Sequence, residues 1–329
     1  MSAAEIEIGL RRMGLAAAGE ALSLTPLAGG VSSDIYLAQT AGRRFVVKRA
    51  LQKLKVTAHW EAPLSRNAAE AAWMRAVADW RPRAAPAVLG EDSKLGLFAM
   101  TYLPPDDNPV WKAELMAGQT DEAFASSVGG DLAFVHARSA AADGLAARFA
   151  HAETFVAIRI EPYLLAAART HPALAADLEA IAQTTLANNK ALMHGDVSPK
   201  NILHSPQGPV FLDAECACWG DPAFDLAFCL NHLLLKGARR GVSRAAYRPA
   251  FAALLDAYLA GVDWEARGGL AARVARLLPA LFLARIDGKS PVEYLETEPE
   301  RQAVRAFAAP LVTDPVRDPI AIVNAWAQS

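Results

Sequence analysis

Three oxygen-bearing side chains stand at spaced positions in one polar stretch of this chain. The stretch runs His194-Gly195-Asp196-Val197-Ser198-Pro199-Lys200-Asn201-Ile202-Leu203, and Phe211-Leu212-Asp213-Ala214-Glu215 follows shortly after. Asn201 lies five residues beyond Asp196, and Asp213 lies seventeen beyond it. Asp196 is suited to accept a hydroxyl proton. Asn201 and Asp213 offer hard oxygen ligands of the kind magnesium takes when it binds through few protein groups and the phosphates of a nucleotide. The set is equipment for placing a phosphoryl group on an alcohol. A polar turn between two apolar strands would account for one such carboxylate, but not for the spaced set.

His194 to Leu203, with Leu212-Asp213-Ala214-Glu215 and Gly220-Asp221-Pro222-Ala223-Phe224-Asp225-Leu226-Ala227, closely resembles the aminoglycoside phosphotransferase family. That family also takes in relatives of choline kinase, fructosamine kinase and methylthioribose kinase. By motif order the resemblance runs from Pro26 to Ala238. It implies a two-lobed, protein-kinase-like α+β fold: a small N-terminal lobe with an antiparallel sheet plus one helix, and a large, mostly helical C-terminal lobe. It implies ATP and Mg2+ as cofactors and a small-molecule hydroxyl as acceptor, whether aminoglycoside, amino alcohol or sugar-like. His194 and Asp225 would brace the catalytic loop, and Glu215 would assist metal or substrate binding. Gly195 stands where protein kinases carry an arginine, Ser198 where a lysine often contacts the transferred phosphate, and no long activation segment follows. Neither a protein substrate nor a phosphorylation-driven switch is therefore expected.

The elements ahead of this loop must hold the nucleotide. Short β-like runs alternate from Leu22 to Ala50, with Ala41-Gly42 as a hairpin turn. Between the first two runs, Gly29, Gly30, Ser32 and Ser33 can bring backbone N–H groups and hydroxyls close to phosphate oxygens. Lys48 ends the apolar strand Phe45-Val46-Val47, within reach of α- and β-phosphates. Its matching carboxylate is Glu70, on a helix expected over 66–80. Two further strands, 87–90 and 96–102, end at Met100, Tyr102 and Leu103, the place where the family contacts adenine. Pro104-Pro105 then marks a hinge, which divides the chain into a nucleotide-binding lobe (1–103) and a catalytic, acceptor-binding lobe (104–329).

Beyond the hinge, helices are expected over 121–140, 153–169, 172–188, 222–236, 243–260, 266–285 and 297–308, with two short strands around the polar loop. A short helix over 3–19 precedes the main fold. Asp225 sits where a carboxylate would cap the helix after Pro222. Arg285, Asp287 and Lys289 crowd a turn marked by Gly288 and Pro291. They are candidates to reach the acceptor pocket, or simply a basic helix end satisfying its dipole.

A formal charge of −2 gives no reason to expect a nucleic-acid or anionic-membrane partner. No signal peptide and no run of apolar residues long enough to span a bilayer is read, so the chain is expected in the cytoplasm. Three cysteines make an odd count, which argues against a disulfide framework. The rival reading is a catalytically silent kinase-like module that binds nucleotide or a partner. Such proteins usually lack a key position, whereas Lys48, Asp196, Asn201 and Asp213 are all present here.

Overall fold

The computed structural model describes residues 3–27, 33–51 and 65–329. Helix α1 (Ala3–Arg12) leads into strands β1 (Ser23–Pro26), β2 (Ser33–Gln39) and β3 (Arg44–Ala50), helix α2 (Arg66–Trp80), and strands β4 (Val88–Asp92) and β5 (Leu97–Thr101). The five strands form one antiparallel sheet in the order β1-β2-β3-β5-β4.

Period-two alternation splits this sheet between two cores. Phe45 and Val47 of β3, with Leu97 and Ala99 of β5, face a small core that Ile6 and Leu10 of α1 close. Val46, Phe98 and Met100 face the other way and join Trp73, Met74 and Val77 of α2 in the main core. Lys48 therefore emerges on the α2 side of the sheet. Helix α1 stops sooner than its sequence pattern suggests. Gly14 takes a left-handed φ of 72°, and the Leu15 N–H donates back to the Leu10 carbonyl at 2.9 Å, a glycine-based helix stop.

The larger part is mostly helical, so the molecule is a two-lobed α+β protein of kinase-like form. After β5 come α3 (Trp111–Met116), α4 (Glu122–Ala140) and α5 (Leu145–Arg148). The helix expected over 153–169 is not uniform: α6 (Glu153–Phe155) passes into a π-helical stretch, Val156–Leu165, and then into α7 (Ala166–Thr170). Pro162 lies inside this stretch. A proline has no N–H to give an α-ladder and its ring crowds the preceding turn, so the helix widens there.

Helix α8 (Ala175–Ala187) precedes the polar loop. Between Ala191 and Asp213 there are three short strands rather than two: β6 (Ala191–Met193) pairs with β9 (Cys218–Gly220) beyond that range, and β7 (Ile202–Ser205) pairs with β8 (Gly208–Phe211). Then come α9 (Pro222–Gly237), α10 (Arg248–Ala260), α11 (Arg267–Asp287), α12 (Glu298–Thr313) and α13 (Pro319–Gln328). Helices α4, α9, α10 and α11 pack around the main core beneath the loop. Asp221, not Asp225, caps α9, accepting from the Ala223 N–H at 3.0 Å. Pro222 fills the first helical position, which puts the cap one residue before it. No helix among the described residues is long and apolar enough to cross a membrane.

Candidate active site

Backbone geometry sets the polar loop before any side chain acts. Gly195 has a φ of 79°, and a Cβ on it would lie 2.5 Å from the Cys216 Cβ and 2.8 Å from the Cys216 carbonyl oxygen. Only glycine fits, on both grounds. Asp225, fully buried in the first turn of α9, accepts from the N–H of His194 at 2.7 Å and of Gly195 at 2.8 Å. His136 supports the same carboxylate at 3.3 Å, and its other ring nitrogen meets the Tyr258 hydroxyl at 2.7 Å.

His194 is buried, and burial lowers its pKa, so it sits neutral. Its bonds fit one tautomer: Nε2–H donates to the Leu212 carbonyl at 3.0 Å, and Nδ1 accepts from the Asp196 N–H at 3.2 Å. One imidazole thus ties the loop to the strand that leads to Asp213. Trp73 of α2 packs edge-on against the same ring at 4.9 Å, which joins the small lobe to the loop.

Asp196 gathers three partners. Asn201 Nδ2 donates to its Oδ2 at 2.7 Å and to its carbonyl oxygen at 3.1 Å. Arg159 forms an ion pair with Oδ2 at 2.6 Å while its Nε donates to the Gly195 carbonyl at 3.0 Å. Lys200, half exposed, lies 3.4 Å from the same oxygen. Because Asn201 spends its amino group on Asp196, the side-chain group left to act as a ligand is its carbonyl oxygen.

Across the loop, Asp213 takes a left-handed φ of 67°, the only non-glycine among the described residues to do so. Such a conformation persists only where the surroundings enforce it. Lys48 bonds Asp213 Oδ1 and forms an ion pair with Glu70 at 2.6 Å, so one ammonium joins β3, α2 and the loop. Burial alone would discharge this lysine, but Asp213 and Glu70 more than reverse that and hold it protonated. Burial would likewise raise Asp213; Lys48, then Lys200 and Arg159, instead hold its carboxyl below the usual range. Burial pushes Glu70 up to about 7 against the pull of Lys48. Glu215 is buried too, and Arg66 at the start of α2 donates to it at 3.0 Å.

An ionised, partly exposed carboxylate at Asp213 and a free amide oxygen at Asn201 fit a magnesium ion that draws its other ligands from phosphates and water. Among the described residues no cluster of three or more His, Cys, Asp or Glu is disposed to hold a metal by itself.

The remaining sequence-derived positions divide. Gly29, Gly30 and Ser32 lie outside the described residues. Ser33 opens β2, buried, and its hydroxyl has no partner among the described residues. Met100 is in the ladder of β5, while Tyr102 and Leu103 leave the sheet after Thr101, and Arg44 stacks on the Tyr102 ring at 5.3 Å. Asp287 is held by Arg305 through bonds of 2.8 Å and 2.8 Å and by His171 at 2.8 Å, and Lys289 pairs with Glu161 at 2.8 Å. Neither shares a partner with the loop. Arg285 points elsewhere, onto Tyr163, with its guanidinium 5.2 Å from the ring centroid. Arg159 was not among the residues singled out from sequence. Its one signal is a lone arginine in the apolar run 155–165, beside a proline that breaks helical order.

The chain's likenesses agree with this geometry. The model of the phosphotransferase enzyme family matches residues 23–272. No match is found among curated proteins. Among solved structures, the amicoumacin kinase hAmiN in complex with AMP-PNP, Ca2+ and Ami superposes with a TM-score of 0.61 at 12% identity, covering 92% of this chain and 91% of that one. The choline kinase of Cryptosporidium parvum gives 0.55 at 9% identity, covering 94% of each. The gentamicin complex of APH(2″)-IIa gives 0.53 at 15% identity, covering 97% of this chain and 98% of that one. At these identities the likeness is one of fold.

Proposed function

Because this chain belongs to the phosphotransferase enzyme family, we propose that it moves the γ-phosphate of ATP to a hydroxyl of a small molecule. The observation that carries this reading is the Asn201–Asp196 bond, the Leu212 N–H bond to the Asn201 backbone carbonyl that brings the Asp213 segment beside that pair, and Lys48 bound to both Glu70 and Asp213. The lobes divide the work near residue 104. Residues 1–103 take the nucleotide: Gly29, Gly30, Ser32 and Ser33 toward the phosphates, Lys48 on the α- and β-phosphates, and Met100, Tyr102 and Leu103 beside adenine. Residues 104–329 supply the catalytic loop and the acceptor.

The acceptor oxygen bonds to the γ-phosphorus as the bond to the β,γ-bridging oxygen breaks. ADP leaves with that electron pair, and the hydroxyl proton passes to Asp196. Asn201 and Asp213 would hold Mg2+, which would supply charge neutralisation on the phosphates. Arg159 and Asn201 fix the Asp196 carboxylate, so Asp196 acts by placement as much as by basicity. His194 and Asp225 hold the loop from below. The family fits aminoglycoside, amino-alcohol and sugar-like hydroxyls alike, and the named neighbours span amicoumacin, gentamicin and choline.

The test is magnesium-dependent ATP consumption across those acceptor classes, with Asp196→Asn as control. Turnover with one class that falls by about 10²- to 10⁴-fold in Asp196→Asn supports the reading. A protein that binds no magnesium nucleotide removes it.

A further inference from the structure

Helices α3, α9 and α11 enclose a group of buried side chains that the phosphoryl-transfer machinery does not use. Lys236 on α9 is 1% exposed, His232 one turn before it 6%, and Arg285 near the end of α11 8%. Tyr294, in the segment after α11, stands between cations: Lys236 Nζ lies 5.4 Å from its ring centroid and Lys112 Nζ, from α3, lies 5.9 Å from it.

This group is rich in donors and poor in carboxylate. Among the described residues Lys236 Nζ bonds the His232 carbonyl alone, at 3.3 Å. Arg239 spends its guanidinium on the Lys236 and Met116 carbonyls and the Tyr247 hydroxyl. Arg285 donates to the Tyr163 hydroxyl at 3.2 Å and to Ser290. Among the described residues the one carboxylate bonded to any of these side chains is Glu293, which pairs with Lys112 at the exposed edge. Three polar atoms are sealed from solvent with no protein partner among the described residues: His232 Nε2, Arg285 Nε and the Tyr294 hydroxyl. Buried polar groups rarely go unpaired, and buried charges more rarely still.

The group adjoins the catalytic loop. The Arg159 guanidinium, in contact with Asp196, lies 5.8 Å from the Tyr163 ring centroid and 6.0 Å from that of Phe228. Arg285 binds the far end of Tyr163, and His232 packs on Phe228 at 5.2 Å. Tyr163 and Phe228 are thus shared neighbours of Arg159, which holds Asp196, and of the side chains that carry the unpaired atoms.

We propose that the acceptor carries an anionic group, a carboxylate or a phosphate ester, which seats on Lys236, Arg285, His232 and Tyr294 while its hydroxyl meets Asp196; this rests on the phosphotransferase reading above. An anion there satisfies the orphaned donors and balances the cations. Burial lowers the Lys236 pKa to about 7, and a bound anion restores its proton. Burial, and after it Arg285, Lys236, Lys200 and Lys112, lower the His232 pKa. A polycationic or quaternary-ammonium acceptor would meet like charge at this end of the site.

The test begins with the nucleotide site saturated by magnesium and AMP-PNP. Malonate and, separately, inorganic phosphate are titrated while Tm is followed in the wild-type protein, Arg285→Gln and Lys236→Met. A rise in the wild type that is lost in both variants supports the proposal, and the more effective anion names its source. An equal rise in all three proteins, or none in the wild type, overturns it. In a turnover arm, hydroxy acids and sugar phosphates are set against their neutral parents, choline and gentamicin. Turnover confined to neutral or cationic acceptors overturns the proposal and leaves phosphoryl transfer intact. With an anionic acceptor in hand, Arg285→Gln raises KM about ten- to hundredfold and changes kcat less. Failure to bind magnesium AMP-PNP would remove the phosphotransferase reading and this proposal with it, an outcome distinct from turnover confined to neutral or cationic acceptors.

Discussion

Arg159 and Asp196 form an ion pair of 2.6 Å, although one sits in a π-helical stretch and the other in the loop between β6 and β7. The arginine that protein kinases keep beside the catalytic aspartate is absent from the sequence at Gly195, and another element of the large lobe supplies one. Its Nε also holds the Gly195 carbonyl at 3.0 Å, so it fixes both the carboxylate and the peptide that carries it.

Arg159→Met should therefore lower kcat by about 10²-fold, the scale of a misplaced catalytic group, and leave the magnesium-nucleotide Kd unchanged. Single-turnover kinetics with separate nucleotide titration check this. A kcat within twofold of wild type would show that Asn201 alone positions Asp196.

Gly195→Ala meets two costs, a left-handed backbone and a Cβ driven into Cys216. A loss of stability of about 1–3 kcal/mol is expected, with activity lost by more than the folded fraction explains. Denaturant unfolding and kcat of the folded protein separate the two effects.

Asp225→Ala strips the His194 and Gly195 N–H groups of their acceptor and leaves His136 with the Tyr258 hydroxyl alone. Unsatisfied buried donors cost about 1–3 kcal/mol each. The variant should unfold at markedly lower denaturant, whereas Asp225→Asn, which keeps acceptor oxygen, should recover part of the loss.

Lys236 carries a pH signature. Its pKa falls from an unfolded value of 10.5 to about 7 in the fold. Between those limits the unfolded chain binds the proton and the folded one does not, so stability rises with pH over that window. The cost of burying the charge is fully present below about pH 7. Lys236→Met removes that cost. It should be more stable than wild type by a few kcal/mol, to order of magnitude, at pH 6, with the gap closing toward pH 10. Unfolding curves at the two pH values decide; a gap that does not change with pH would place the Lys236 proton outside the balance.

Much of this was legible in the sequence because the relevant patterns are local. Lys48 stood out as the lysine ending the apolar strand Phe45-Val46-Val47, and helical spacing over 66–80 gave α2 its bounds. The cap of α9 is misassigned when given to Asp225: a residue before Pro222 caps more naturally than one after it, and the fold gives the cap to Asp221 and Asp225 to the loop. What stayed hidden depends on long-range meeting. Nothing in the run around Arg159 says that a proline-widened helix turns it toward Asp196. Lys112, His232, Arg285 and Tyr294 look like isolated polar residues until α3, α9 and α11 bring them together. Asp287 and Lys289, adjacent to Arg285 in sequence, diverge from it because the end of α11 turns them toward other helices.

The bridge from Lys48 to Glu70 and Asp213 has an electrical consequence. Among the described residues the site sets Glu70, Asp196, Asp213 and Glu215 against Lys48, Arg66, Arg159 and Lys200, four acidic groups against four basic ones, so its net charge is near zero when the carboxyls are ionised. A neutral cleft exerts little long-range pull on a bare polyphosphate or a bare divalent ion, and a metal–nucleotide pair, closer to neutral than its phosphates alone, loses least by that. Capture of the nucleotide should then vary little with ionic strength, while the approach of an acidic acceptor to the uncompensated donors beside it should slow as salt is added.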